Sequence, residues 1–369
     1  MTPLTETSAA QHLAAHALTP AAPGFVGLAV DLLLSRPGLP APLTDSLRER
    51  PPLRHGHLTA RSARVLVVSG PPSPGADISA TRMTEDLAMP GPLIAGHGAT
   101  VLDVAADPGA PLGAGVRVAL EAGTADDGPS GMRWRWVLAQ AVAPVLAAAF
   151  ANSPGADGWR SSRLALRTRL TAPALGGLAA GGSGVGGPAD LGREIGGPGA
   201  DWARQVLDAP VAPGGPSLRQ RLRAGDRLTA ADLHRHARAF RPPVAARGHL
   251  VIDVADRQPG DGWRVPLAVI STLLDDASAS GEALAATSAL DRTGPAAGAE
   301  LWERAARDGL SDPALAAAAR VCFLAAYGAL SRRGADRATR DAVAVFLERY
   351  VLRGRCPADD RLDRTTARP

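Results

Sequence analysis

Cysteine, aromatic residues and lysine are scarce in this chain. Two cysteines, Cys322 and Cys356, in 369 residues are too few for a disulfide framework or a four-cysteine zinc site. Cys322 lies in the helical apolar run ALAAAARVCFLAAYGAL, where a small thiol is expected to be buried. Aromatics make up 4% of the residues, so the core must be filled mainly by Ala, Val and Leu. Lysine is missing altogether, and the Lys+Arg count of 40 is therefore all arginine. With the Ala, Gly and Pro bias, this fits a GC-rich genome. The arginines are scattered instead of forming a stripe interleaved with aromatics, which argues against a nucleic-acid partner. The net charge of +4 is small for the length. Apolar runs are cut by Arg or Pro before reaching the roughly 20 residues of a membrane span. The chain does not open with a basic segment followed by an apolar one, as a secretory leader would. A cytoplasmic protein with no membrane association is expected.

A hydrophobic content of 46% is enough for a full core, as one large domain or two smaller ones. Residues 1–22 are expected as a flexible segment, ordered only if docked, and 356–369 as a flexible tail. Strands are predicted at 25–34, at 56–69, where Gly70-Pro71-Pro72 stops the run, and at 98–106. A helix is predicted over 133–153, with Pro144 as a kink or early end. Residues 171–200 are so rich in Gly and Ala that they read as a mobile loop, long enough to be disordered or a flap near a site. Their GGSGVGG lacks the Lys-Ser/Thr ending of a phosphate-binding loop. Helices are predicted at 201–208 and 229–240, a strand at 248–255, and further helices at 265–275, 298–308, 313–330 and 337–352. Strands early and helices late give an α+β order, not the regular alternation of a doubly wound sheet.

Several polar clusters could carry chemistry. In GWRSSR, Arg160 and Arg163 are three apart and could share a helical face. Their planar guanidiniums suit a carboxylate or phosphate, although a serine-capped, solvated helix start reads equally well. His234 and His236, two apart, splay on a helix but would share one face of a strand, so a metal site with His249 is an open reading, although satisfied structural histidines are the more common outcome. Arg247 and His249 alternate on the predicted strand and could face an anion together. Asp208 reads equally as a turn cap or a direct contact.

The blocks FANSPGADGWRSSR (150–163), DWARQVLDAPV (201–211) and DLHRHARAFRPPVAARGHLVIDVADRQPGDGWRVPLAV (232–269) resemble, in order and spacing, the glutamate–cysteine ligase family of the actinobacterial ergothioneine-pathway type. FVGLAVDLLL (25–34) and GHLTARSARVLVVSGPP (56–72) fit earlier family blocks more loosely. The resemblance implies a single glutamine-synthetase-like catalytic domain, α+β, with a curved, mostly antiparallel sheet flanked by helices, over 23–355. It also implies ATP and magnesium as cofactors, used to phosphorylate the γ-carboxylate of glutamate before the cysteine amine attacks. Arg160, Arg163, Asp208, His236, Arg247, His249 and Gln258 match positions the family keeps. Under the resemblance Arg160, Arg163, Arg247 and His249 would act on phosphate or substrate carboxylate, and Arg160, Arg247 and His236 would bind the cofactor.

The family's acidic strand positions are altered. Ala29 and Asp31 stand at those of the first strand, and Arg61 and Val67 replace glutamates of the second. Asp103 and Ala105 replace Gln and Asn in the third, and Val251 and Asp253 replace Glu and Arg in the fourth. Lost carboxylates remove the oxygen ligands magnesium needs, and Arg61 opposes a cation. This implies a ligase-like protein without ATP- and magnesium-dependent γ-glutamylcysteine formation. It would keep an amino-acid or other small anionic ligand, or work with a paralogous enzyme partner. Two other readings stand beside it. One is an active carboxylate–amine ligase with a rebuilt site, in which Asp31, Asp103 and Asp253, with Asp256 nearby, hold magnesium. The other is a scaffold.

Overall fold

Strand β1 (Phe25–Leu33) alternates in burial, with Val26, Leu28 and Val30 buried and Gly27 and Ala29 half-buried between them. Side chains on a strand point to opposite faces in turn, so this pattern marks one face for a core. The computed structural model describes residues 4–366 except 108–109, 111–112, 156, 176–196, 213, 289 and 291–296. In it β1 lies inside a sheet with β2 (His57–Ser62), β3 (Val65–Ser69), β4 (Ser73–Pro74), β5 (Gly115–Leu120), β6 (Val244–Ala246) and β7 (Leu250–Asp256). The order is β2-β3-β1-β5-β7-β6, with β4 also on β1, and every pairing is antiparallel. The core face carries Val26, Leu28, Val30, Leu66, Val68, Val118, Leu120 and Ile252, all buried. Each such aliphatic side chain contributes about 2 kcal/mol on leaving water. Helices Met132–Ala149, Arg264–Asp275 and Ala76–Ala88 cover this face. The result is an α+β, glutamine-synthetase-like domain, with a central antiparallel sheet flanked by helices.

Most predicted elements form, with instructive differences. The 56–69 run is a hairpin, because a turn at Ala63–Arg64 separates β2 from β3. Residues 98–106 form no named strand: Val101 makes one isolated bridge to Leu34, and the central strand is instead β5. Its short VRVAL alternation is easily lost among the glycines and prolines before it. Pro144 sits inside the helix Met132–Ala149, which continues to Ala149. Residues 247–249 belong to the turn between β6 and β7, with Gly248 at φ +77°, so the strand begins only at Leu250.

Helices occupy both ends that the sequence marks as flexible. Glu6–Ala15 starts in a Thr5/Ser8 capping box and buries Ala9 and Leu13. Pro357–Thr366 follows the buried Cys356 and itself buries Ala358. The Gly-rich loop expected at 171–200 falls largely outside the described residues, between helices Ser162–Leu175 and Gly197–Asp208. Helix Pro313–Arg332 is, by length and composition, apolar enough to cross a membrane, and 56% of its apolar window is buried inside the fold. It packs on Arg264–Asp275 and Ala277–Ser288.

Candidate functional site

The second face of the sheet carries the charges. The register sets Asp31 of β1 opposite Val67 of β3, and Ala29 opposite Arg117 of β5. On β7 Val251 lies across from Ala119, and Asp253 is the next residue on Val251's side of the strand. Toward the middle of this face Gly27, Ala29, Ser69, Ala119 and Val251 are half-buried, so it is not closed over as the core face is.

Asp31 is fully buried, and its carboxylate is held from three sides. Arg61 Nη2 donates at 2.8 Å and the Gly115 amide at 3.0 Å to Oδ2, and Arg117 Nη2 donates to Oδ1 at 3.2 Å. Asp253 accepts from Arg163 Nη2 at 2.8 Å and pairs with Arg167 Nη1 at 3.0 Å. Arg163 also donates from Nη1 to Asp256 at 3.2 Å. The other Asp256 oxygen accepts from the Asn152 amide at 2.8 Å and the hydroxyls of Ser153 and Ser161 at 2.7 and 2.9 Å. Arg163 and Arg167 reach the sheet together because they sit four apart, one turn, on helix Ser162–Leu175. Gly115 makes room for this crossing: a Cβ there would lie 2.2 Å from Arg163 Nη2.

Burial raises the pKa of Asp253, but the charges of Arg167, Arg163, Arg117 and Arg61 outweigh it and hold the carboxyl well below the usual range. Burial likewise pulls Arg163 down, and Asp253 and Asp256 more than reverse it. Arg167 is lowered to about 10, burial prevailing over Asp253. For Arg241, desolvation comes first, and the charges of Arg117 and Arg61 lower it further. Among the described residues Arg241 has no ion-pair partner, so the cluster of five arginines and three aspartates keeps a positive balance at its Arg241 edge.

The remaining site candidates are dispersed. Arg160 precedes the helix that carries Arg163 and turns away from it, donating from Nε to Asp359 at 3.0 Å. Arg247 donates to the carbonyls of Ala237 and Phe240 and lies over the Trp202 ring at 5.0 Å, bracing the end of helix Ala230–Ala239. Its pKa is lowered to about 10 by burial and by Arg241. His249 is exposed in the turn between β6 and β7. His236 is buried against the Val206 carbonyl at 3.1 Å, and burial lowers its pKa too. Asp208 pairs with Arg219. Gln258 donates to the Phe150 and Asp256 carbonyls at 2.9 and 3.0 Å. His234, His236 and His249 do not assemble.

Nor do Asp31, Asp103 and Asp253. Among the described residues they form no group of ligand atoms close enough to share an ion. Asp103 is exposed in the loop before β5, and its carbonyl accepts from Arg361. Magnesium needs several oxygens about 2.0–2.1 Å away in an octahedron. Here both oxygens of Asp31 and Oδ1 of Asp253 are taken by guanidiniums, and Asp103 lies apart from them, so the three do not fit the metal. Sequence reasoning missed Arg117, Arg167 and Arg241. Arg117 sits on the unpredicted strand, and only the i,i+4 spacing of Arg163 and Arg167 was a visible signal.

A central antiparallel sheet flanked by helices, with charges converging on one face, is consistent with a glutamine-synthetase-like catalytic domain. Comparison with known proteins narrows the class. The family model of glutamate–cysteine ligase family 2 matches residues 112–369. The glutamate–cysteine ligase EgtA of Mycobacterium tuberculosis (strain H37Rv) is 29% identical over 98% of this chain and 90% of its own length. The EgtA of Mycolicibacterium smegmatis is 33% identical over 69% of the chain and 58% of its length. The chain belongs to glutamate–cysteine ligase family 2.

Proposed function

We infer that this is a ligase-like protein of the ergothioneine-pathway type that no longer forms γ-glutamylcysteine with ATP and magnesium, and that keeps a binding role for a small anion. The observation that carries this reading is the pairing of Asp31 and Asp253 with Arg61, Arg117, Arg163 and Arg167. A face built to hold magnesium and phosphate needs unpaired carboxylates for the metal. This one has spent them on internal cations. Two of the substitutions read from the family resemblance, Arg61 and Val67, stand beside Asp31. The positive edge at Arg241, Arg117 and Arg61 favours a carboxylate or phosphate ligand, because guanidiniums donate paired hydrogen bonds.

Purified protein incubated with ATP, magnesium, glutamate and cysteine tests the reading directly. ADP and γ-glutamylcysteine should stay at background. Robust product formation would sink the proposal and favour a rebuilt acidic site. Calorimetric titration with glutamate separates the remaining possibilities: heat lost on Arg241→Ala supports the anion site, and silence points to a scaffold.

A further inference from the structure

A second cluster, sharing no residue with the sheet's charges, lies where the N-terminal helix meets helix Ala230–Ala239. His12 and His16 are four apart at the end of helix Glu6–Ala15, so both rings project from one side. His234 comes from the neighbouring helix. His12 Nε2 and His234 Nε2 are 2.9 Å apart, and one potential ligand atom from each of the three rings lies within 4.8 Å of the others. The ring centroids are 4.6, 4.8 and 5.8 Å apart.

The scaffold beneath the rings is fixed by contacts that do not involve them. Thr5 caps the N-terminal helix, and Glu6 pairs with Arg219 and Arg223. The Thr19 amide donates to the Gly248 carbonyl at 2.8 Å just beyond it. The Thr229/Asp232 capping box starts the partner helix. His16 Nδ1 lies 2.7 Å from the His12 carbonyl. With the proton on Nδ1 donated there, Nε2 is left with its lone pair outward, as metal-bound imidazoles are commonly oriented.

We propose that His12, His16 and His234 form a binding site for a borderline divalent cation of the zinc class, clasping the N-terminal helix to helix Ala230–Ala239. Three imidazoles without a carboxylate suit zinc, cobalt, nickel or copper and not magnesium. Zinc–nitrogen bonds of about 2.0–2.1 Å in a tetrahedron set nitrogens about 3.3 Å apart. His12 and His234 need only spread from 2.9 Å by a few tenths of an ångström, and His16 to close in by up to about 1.5 Å. The fourth position stays open to water. The site is separate from the arginine-lined face and does not depend on the proposed function.

The test is zinc titration of the untagged full-length chain against a chromophoric chelator. One zinc per chain should bind at micromolar strength or tighter, with excess magnesium not competing. Thermal unfolding should shift upward with zinc. His234→Gln and His16→Gln, both at exposed positions, should each weaken binding about tenfold or more and remove the shift. The metal-free melting temperature of each variant shows whether it has folded. His55→Gln, which alters a histidine paired elsewhere with Glu85, should bind zinc as the native chain does. Cobalt in place of zinc should give visible ligand-field bands that vanish in the double variant. No stoichiometric zinc, or binding unchanged in His16→Gln/His234→Gln, would overturn the proposal.

Discussion

Arg163→Met removes the cation that joins two buried carboxylates while roughly keeping the side chain's length. Arg163 is 2% exposed and bridges Asp253 and Asp256 at 2.8 and 3.2 Å. Breaking a buried ion pair from one side typically costs about 3–5 kcal/mol, because the abandoned charge stays out of water. Here each carboxylate keeps a partner: Asp253 retains Arg167, and Asp256 retains one amide and two hydroxyls. The expected loss is therefore near the lower end, about 3 kcal/mol, a large share of the roughly 5–15 kcal/mol that stabilises a typical domain. Urea unfolding followed by tryptophan fluorescence measures it. Acid adds a second reading. The Asp253 pKa is lowered in the fold, so its contribution is full above the unfolded carboxylate value of about 3.9 and is lost as pH falls toward the folded one. The gap between native chain and variant should therefore narrow below about pH 4. A loss under about 1 kcal/mol at neutral pH, or a gap that widens in acid, would refute the view that Arg163 serves the fold's own acids and not a ligand.

Gly115→Ala places a methyl 2.2 Å from Arg163 Nη2 and 2.9 Å from the Ala255 carbonyl, and should cost about 1–3 kcal/mol in the same unfolding assay. Combined with Arg163→Met, its cost should shrink, since the closer clash is gone. Asp31→Asn strips the charge on which Arg61 and Arg117 converge and should lower stability by about 3 kcal/mol, read by calorimetric melting. Cys322, its thiol pushed up to about 12 by burial, and the fully buried Cys356 should stay unreactive to a thiol-titrating disulfide reagent until the protein is unfolded.

Local patterns in the sequence determined the α+β order, the alternation that marks one face of β1, and the helices at 265–275, 313–330 and 337–352. Each depends on periodicity over a few neighbouring residues, which a linear reading can see. The family's signature blocks were equally legible as short, contiguous strings. Tertiary structure alone decided what the charges do. Asp31 meets Arg61 30 positions away, Arg163 meets Asp253 across 90, and His12 meets His234 across 222. Arg160 and Arg163, neighbours in one motif, part because the first precedes the helix and turns to Asp359 while the second crosses the sheet over Gly115. Asp31 and Asp253, which could be read as metal ligands, become the buried halves of ion pairs, since a carboxylate's role depends on which cation the fold brings to it.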